Sequence, residues 1–163
     1  MKTTIRIGTR GSQLALYQAE LVRGKIENVF PMSRVEIVKI KTRGDLTRRG
    51  KPEPFNTKSD FTVEIELALA SAEVDLAVHS AKDLGLAMPE GLKIGAVLER
   101  EDERDCFLSR HGKKLAEMPA GSRVGTGALR RQAQLKRLAP EVEVVPLRGN
   151  VDTRIKKLKE GAV

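Results

Sequence analysis

The sequence predicts an α/β fold in which parallel strands alternate with helices, and three observations carry that prediction. Short apolar runs give way at once to polar residues: VDLAV, residues 74–78, runs straight into His79, Ser80, Lys82 and Asp83. That is the form of a buried strand delivering a site at its carboxyl end. The arrangement recurs, because apolar runs ending near Gly8, Val124 and Leu147 lead into glycine-containing turns that bring Arg10, Arg130 with Arg131, and Arg148. Each of those three turns is followed by a helical pattern, the order expected of a parallel sheet covered by helices.

In chain order, residues 4–8 (TIRIG) read as a strand, and Ser12 caps a helix with apolar positions at Leu14, Leu16, Ala19, Leu21, Val22 and Ile26. The turn between them, Thr9-Arg10-Gly11-Ser12, aims backbone N–H groups, a hydroxyl and a guanidinium at one place, as an anion site does. Taken alone, it reads more simply as an ordinary N-cap beside a solvated arginine. Residues 34–42 (RVEIVKIKT) alternate as a strand should, and then periodicity collapses over residues 43–60 (RGDLTRRGKPEPFNTKSD). So many charges, Gly and Pro predict a long mobile loop with the makings of a lid. Residues 61–72 (FTVEIELALASA) have helical spacing through Phe61, Ile65 and Leu69, although Thr62, Val63 and Ile65 also suit a strand; a helix is preferred.

The turn signal Met88-Pro89-Glu90-Gly91 precedes another expected strand over residues 92–98 (LKIGAVL). The charged run 99–105 then marks a hinge between two domains, 1–98 and 106–163, or equally a solvated turn. A short strand is expected at residues 106–109, and a further one ends at Val124. The turn Gly125-Thr126-Gly127-Ala128 opens a helix through Leu135 and Leu138, whose first amides, with Thr126, Arg130 and Arg131, make a second anion site. After a strand over residues 143–147, Arg148-Gly149-Asn150 opens a helix carrying Arg154.

Composition limits the function classes. Of 163 residues, 40% are hydrophobic and 32% charged, as in ordinary globular domains. No run approaches the roughly 18 apolar residues of a membrane span, and the N-terminus turns polar too early for a signal peptide, so a cytoplasmic location is the default. The single Cys106 excludes an internal disulfide and a cysteine metal centre; a buried, unreactive thiol is expected, and no metal site. The net charge of +8 is concentrated toward one end, with ten Lys or Arg against four Asp or Glu from Gly121 onward. Such a patch attracts nucleic acid, an anionic surface or a small polyanion. Four Phe, one Tyr and no Trp leave little for stacking on bases, which favours the polyanion.

The segments IGTRGSQLALYQAE, KTRGD, DLAVHSAKD, PEGL, EREDERD, PAGSRVGTGALRRQAQL and LRGNVDTRIKKL together resemble the porphobilinogen deaminase (hydroxymethylbilane synthase) family, in order and over nearly the whole chain. The resemblance implies a two-domain fold like that of periplasmic binding proteins, with the active site in the cleft, a second domain incomplete here and a third domain absent. It implies a transferase of tetrapyrrole (haem) biosynthesis that condenses four porphobilinogen units into hydroxymethylbilane on a dipyrromethane cofactor, releasing ammonia. Asp83 then matches the catalytic carboxylate, with Ser80 and Lys82 holding cofactor or substrate side chains. Arg10, Ser12, Thr126, Arg130, Arg131, Arg148 and Arg154 match positions that bind pyrrole acetates and propionates. The implied partners are porphobilinogen, linear pyrrole chains and a C-terminal complementing segment, with neither nucleic acid nor membrane. Departures from the family pattern are Thr57-Lys58-Ser59-Asp60, Leu84-Gly85, and Gly127 and Ala128 in place of two hydroxyl residues. Cys106 does not match the family's cofactor-bearing cysteine, and a noncatalytic anion-binding module on the same scaffold is the alternative.

Overall fold

The computed structural model describes residues 4–46, 61–85 and 87–163, and the chain divides into two compact units, Met1–Val97 and Leu98–Val163. In the first, β1 (Thr4–Thr9) pairs in parallel with β2 (Arg34–Lys39) on one side and with β3 (Leu76–Ala77) on the other, in the order β2-β1-β3. The register sets Ile5 opposite Val35 and Ile7 opposite both Ile37 and Leu76. Because side chains alternate across a strand, these residues share one face. Helix α1 (Gln13–Val29) covers that face with Ala19, Val22 and Ile26 around the buried Ile7. Only this stripe meets the three strands, so Leu14 and Leu21, expected in the core, stay exposed.

The preferred helical reading of the next apolar segment is realised as α3 (Val63–Ala70), which packs on β1 and β3 with Ile65 and Ala68 buried. A single turn, α2 (Arg43–Leu46), replaces the start of the expected loop; the rest of that lid expectation lies outside the described residues. Gly8 permits close packing here, since a Cβ on it would stand 3.0 Å from Val74 Cγ2 and 3.2 Å from Ile40 Cδ1.

Two expected strands are absent. Residues 92–98 pair with nothing among the described residues, and Ile94 and Val97 are exposed. Residues 106–109 likewise form no strand, and Cys106 is exposed rather than buried. An apolar run becomes a strand only where a neighbour offers matching N–H and C=O groups, and none of the described residues does so.

In the second unit, β4 (Arg123–Gly125) pairs in parallel with β5 (Glu143–Val145). Val124, Val145 and Leu147 are buried in a small apolar centre, with α4 (Leu129–Leu138) packed on β5 and α5 (Val151–Lys159) following it in the chain. The strand expected over residues 143–147 ends two residues early, although Leu147 keeps its buried place. Among the described residues, no helix is long and apolar enough to cross a membrane.

Candidate functional site

Strand order reverses between β1 and β3: the chain leaves β1 through α1 toward β2, whereas β3 lies on β1's other flank. In open parallel sheets, ligands bind outside the carboxyl ends of the strands at such a reversal. Both clusters of the first unit stand there. The turn holding Arg10 and Ser12 follows β1, and the segment holding His79, Ser80, Lys82 and Asp83 follows β3. Val78 extends the pairing, its N–H donating to Gly8 O at 3.1 Å, and the Ser80 hydroxyl donates to Gln18 Oε1 at 3.0 Å. The end of β3 is thereby tied to α1.

A 3-10 turn, Ala81–Asp83, places the acid: the Asp83 N–H donates to Ser80 O at 2.9 Å, leaving Asp83 half-buried and Lys82 exposed. Val78 packs with the α1 face, so alternation sends His79 to the opposite face, that of α3. Burial there holds the imidazole below its usual range; Asp83 and Glu66 oppose this, and Arg10 adds to it. Arg10 itself lies over the Phe61 ring, 4.0 Å from its centre. Ser12 performs the simpler of its two readings, its Oγ accepting from Ala15 N at 3.3 Å. A hydroxyl that accepts in this way still has its own proton to donate.

In the second unit the turns after β4 and β5 lie against each other, since a Cβ on Gly127 would stand 3.0 Å from Leu147 O and 4.0 Å from Arg148 Cγ. Thr126 is buried, its N–H donating to Val145 O at 3.0 Å and its hydroxyl accepting from Ala128 N at 3.2 Å. No side chain caps α4 beyond Ala128. The amides of its first turn therefore have no intrahelical acceptor.

The arginines divide by what they touch. Arg154 Nε donates to Gly149 O at 2.8 Å, bracing a turn in which Gly149 has φ of 118°. Arg130 and Arg131 both grip Asp105, at 3.0 Å and 2.8 Å, and the hydrogen bond from Arg131 is the main reason that carboxyl lies below its usual range. Arg148 is exposed, and its carbonyl accepts from Lys157 Nζ at 3.3 Å.

Sequence reasoning missed Gln18, Phe61 and Asp105. A lone glutamine in a helix carries no signal of its own, Phe61 was read as part of an apolar stripe, and Asp105 was absorbed into a charged run. Among the described residues, no group of three or more His, Cys, Asp or Glu could hold a metal ion. The first unit thus offers one carboxylate beside an ammonium and a neutral imidazole. The second offers guanidinium, hydroxyl and amide donors, a set suited to carboxylates.

A sequence model described as porphobilinogen deaminase, dipyromethane cofactor binding domain, matches residues 5–163. The chain is 49% identical to a porphobilinogen deaminase of Syntrophobacter fumaroxidans over 158 residues, covering 97% of this chain and 51% of that protein. It is 49% identical to one of Geobacter metallireducens, covering 96% and 49%, and 51% identical to one of Nitratidesulfovibrio vulgaris, covering 95% and 49%. The chain spans about half the length of the curated relatives it matches.

Proposed function

Because the chain belongs to the porphobilinogen deaminase family, we propose that it supplies the catalytic carboxylate and carboxylate-binding residues of an enzyme condensing four porphobilinogen units into hydroxymethylbilane with release of ammonia. The observation that carries this reading is the placement of Asp83, a half-buried carboxylate at the carboxyl end of β3 where the strand order reverses. Loss of ammonia from an aminomethyl pyrrole leaves a cation. A carboxylate fixed beside it stabilises that charge and takes up or returns the pyrrole N–H proton as bonds form. The 3-10 turn that begins at Ser80 holds the backbone from which the Asp83 carboxylate projects.

The remaining residues bind and orient. Each porphobilinogen carries an acetate and a propionate, and the planar forks of Arg10, Arg130, Arg131, Arg148 and Arg154 pair with such groups in bidentate fashion. Ser12 and Thr126 add hydroxyls, Lys82 an ammonium, and Ser80 a hydroxyl steadied by Gln18. Dipyrromethane is two linked pyrroles with the same carboxylates, a chemistry that suits the exposed Lys82 in the first unit and, separately, the exposed Arg148 and the α4 amides in the second. When bound it supplies the primer for chain growth. Ser80, Lys82 and the arginines are the residues that would hold it, while Cys106 does not match the family's attachment position.

The same reading makes residues 1–98 and 106–163 parts of a periplasmic-binding-protein-like scaffold joined at 99–105. It makes the location cytoplasmic, the ligands pyrrole carboxylates rather than nucleic acid or membrane, and a C-terminal complementing segment a partner. Residues 92–98, which form no strand with the described residues and leave Ile94, Val97 and Leu98 exposed, support that last point. The test is to combine the chain with the C-terminal half of the Syntrophobacter relative and supply porphobilinogen. Tetrapyrrole formation that needs both pieces is expected. Titration of porphobilinogen into the chain alone, showing no binding that Arg148→Ala weakens, would overturn the assignment of the arginines.

A further inference from the structure

We propose that Asp105 is a positioning residue for anion binding: it clamps the guanidinium groups of Arg130 and Arg131 together while leaving most of their N–H donors for a ligand carboxylate. The inference rests on the carboxylate-binding role proposed above for those two arginines. Consecutive side chains on a helix diverge rather than face each other, and two guanidinium groups also repel. Convergence of Arg130 and Arg131 therefore needs an anion between them, and Asp105 is that anion. Its Oδ1 accepts from Arg131 Nε at 3.1 Å, from Arg131 Nη2 at 2.8 Å and from Arg130 Nη2 at 3.2 Å, and its Oδ2 lies 3.0 Å from Arg130 Nη2. Neither Nη1 is used in these contacts, and a guanidinium has five N–H donors. The bridge thus spends the Nε–Nη2 edge of the Arg131 fork and the Nη2 of Arg130, and leaves their other donors.

The opposite reading is that Asp105 occupies the site and a ligand must displace it. The two readings predict opposite signs. Removing a clamp loosens both side chains, so binding must then immobilise them and weakens. Removing an occupant strengthens binding. Because the bridge is partly exposed, with side-chain exposures of 31% for Asp105 and 43% for Arg131, it contributes little to stability. A change in affinity is therefore not a disguised loss of folding.

The experiment uses the 163-residue chain with porphobilinogen as the probe. Asp105→Asn is expected to weaken binding about 3- to 10-fold while the thermal midpoint stays where it is, and Asp105→Glu, which keeps the charge, recovers part of the loss. In 15N spectra of the free protein, the Arg131 Nε–H signal is slow to exchange in the parent and fast in Asp105→Asn. Tighter or unchanged binding by Asp105→Asn overturns the proposal. If Arg131→Ala leaves porphobilinogen binding intact, the carboxylate role of the arginines fails, and the exchange measurement alone then decides whether Asp105 clamps. Should Asp105→Asn not fold, Asp105→Glu decides instead: a smaller loss of affinity at the parent's thermal midpoint supports the clamp, and no loss overturns it.

Discussion

Asp83 and His79 stand four residues apart at one strand end, and burial acts on the imidazole. Asp83 is half-buried beside an exposed ammonium, whereas burial keeps the imidazole of His79 neutral. Asp83→Asn is nearly the same size and keeps the 3-10 turn, whose hydrogen bond is made by the backbone. In the reassembled enzyme it should retain porphobilinogen binding yet lose about a hundredfold to a thousandfold in kcat, since a neutral amide stabilises no developing cation. Equal kcat in parent and variant would remove Asp83 from the chemistry. For His79 the prediction concerns stability against pH. The charged groups facing it are Asp83 and Glu66, which raise its pKa, and Arg10, which with burial lowers it; the net direction is down. An unfolded histidine titrates near about 6.5, so on acidification below that value the unfolded chain takes up a proton before the folded chain does. Stability should therefore fall as pH drops below about 6.5, and His79→Asn should flatten that part of the curve in urea titrations at a series of pH values. An identical slope in both proteins would remove His79 from the account.

At the scale of elements, the junctions between strand and helix were legible because each is a local event. A cap such as Ser12 and an apolar stripe such as Ala19, Val22 and Ile26 each act within one or two turns of chain, and the structure uses both. What was not legible is whatever a segment needs from elsewhere. Residues 92–98 and 106–109 have strand composition, but a strand is a property of a pair, and apolar pattern alone cannot report a missing neighbour. Gln18 meeting Ser80 across 62 positions, and Asp105 meeting Arg130 across 25, are equally nonlocal. Gly8 tests the nonlocal side of this contrast. Its missing Cβ lets Val74 and Ile40 close over β1, and a methyl group would meet the stiff Val74 side chain at 3.0 Å. Gly8→Ala should cost about 1–3 kcal/mol through overpacking, measured by chemical denaturation. A neutral result would mean that β1 and Val74 can separate freely.

For the whole molecule, the question is what a basic chain with one thiol can hold. The excess of Lys and Arg beyond Gly121 would suit nucleic acid if the charges were free and interleaved with aromatic rings. Instead Arg130 and Arg131 share Asp105, Arg154 braces the Gly149 turn through its Nε, and Tyr17, the only Tyr, lies in α1 of the other unit. Duplex DNA should accordingly bind weakly and be lost steeply as salt rises, with a gel-shift series in salt as the check; tight, sequence-selective binding at physiological salt would contradict this. The thiol gives the last and most direct prediction. Cys106, expected to be sheltered in a strand, is exposed, so access does not protect it and thiol reagents should label it in the folded chain. Exposure alone does not make it the cofactor's anchor, because it follows Asp105 at a position that does not match the family's attachment cysteine. The purified 163-residue chain should therefore show its unmodified mass, give no colour reaction for a bound dipyrromethane, and form no tetrapyrrole from porphobilinogen unaided. A mass increase of two pyrrole units mapped to the Cys106 peptide would reverse this, and would make the reactivity of an open thiol, rather than its match to the family position, the fact that decides attachment.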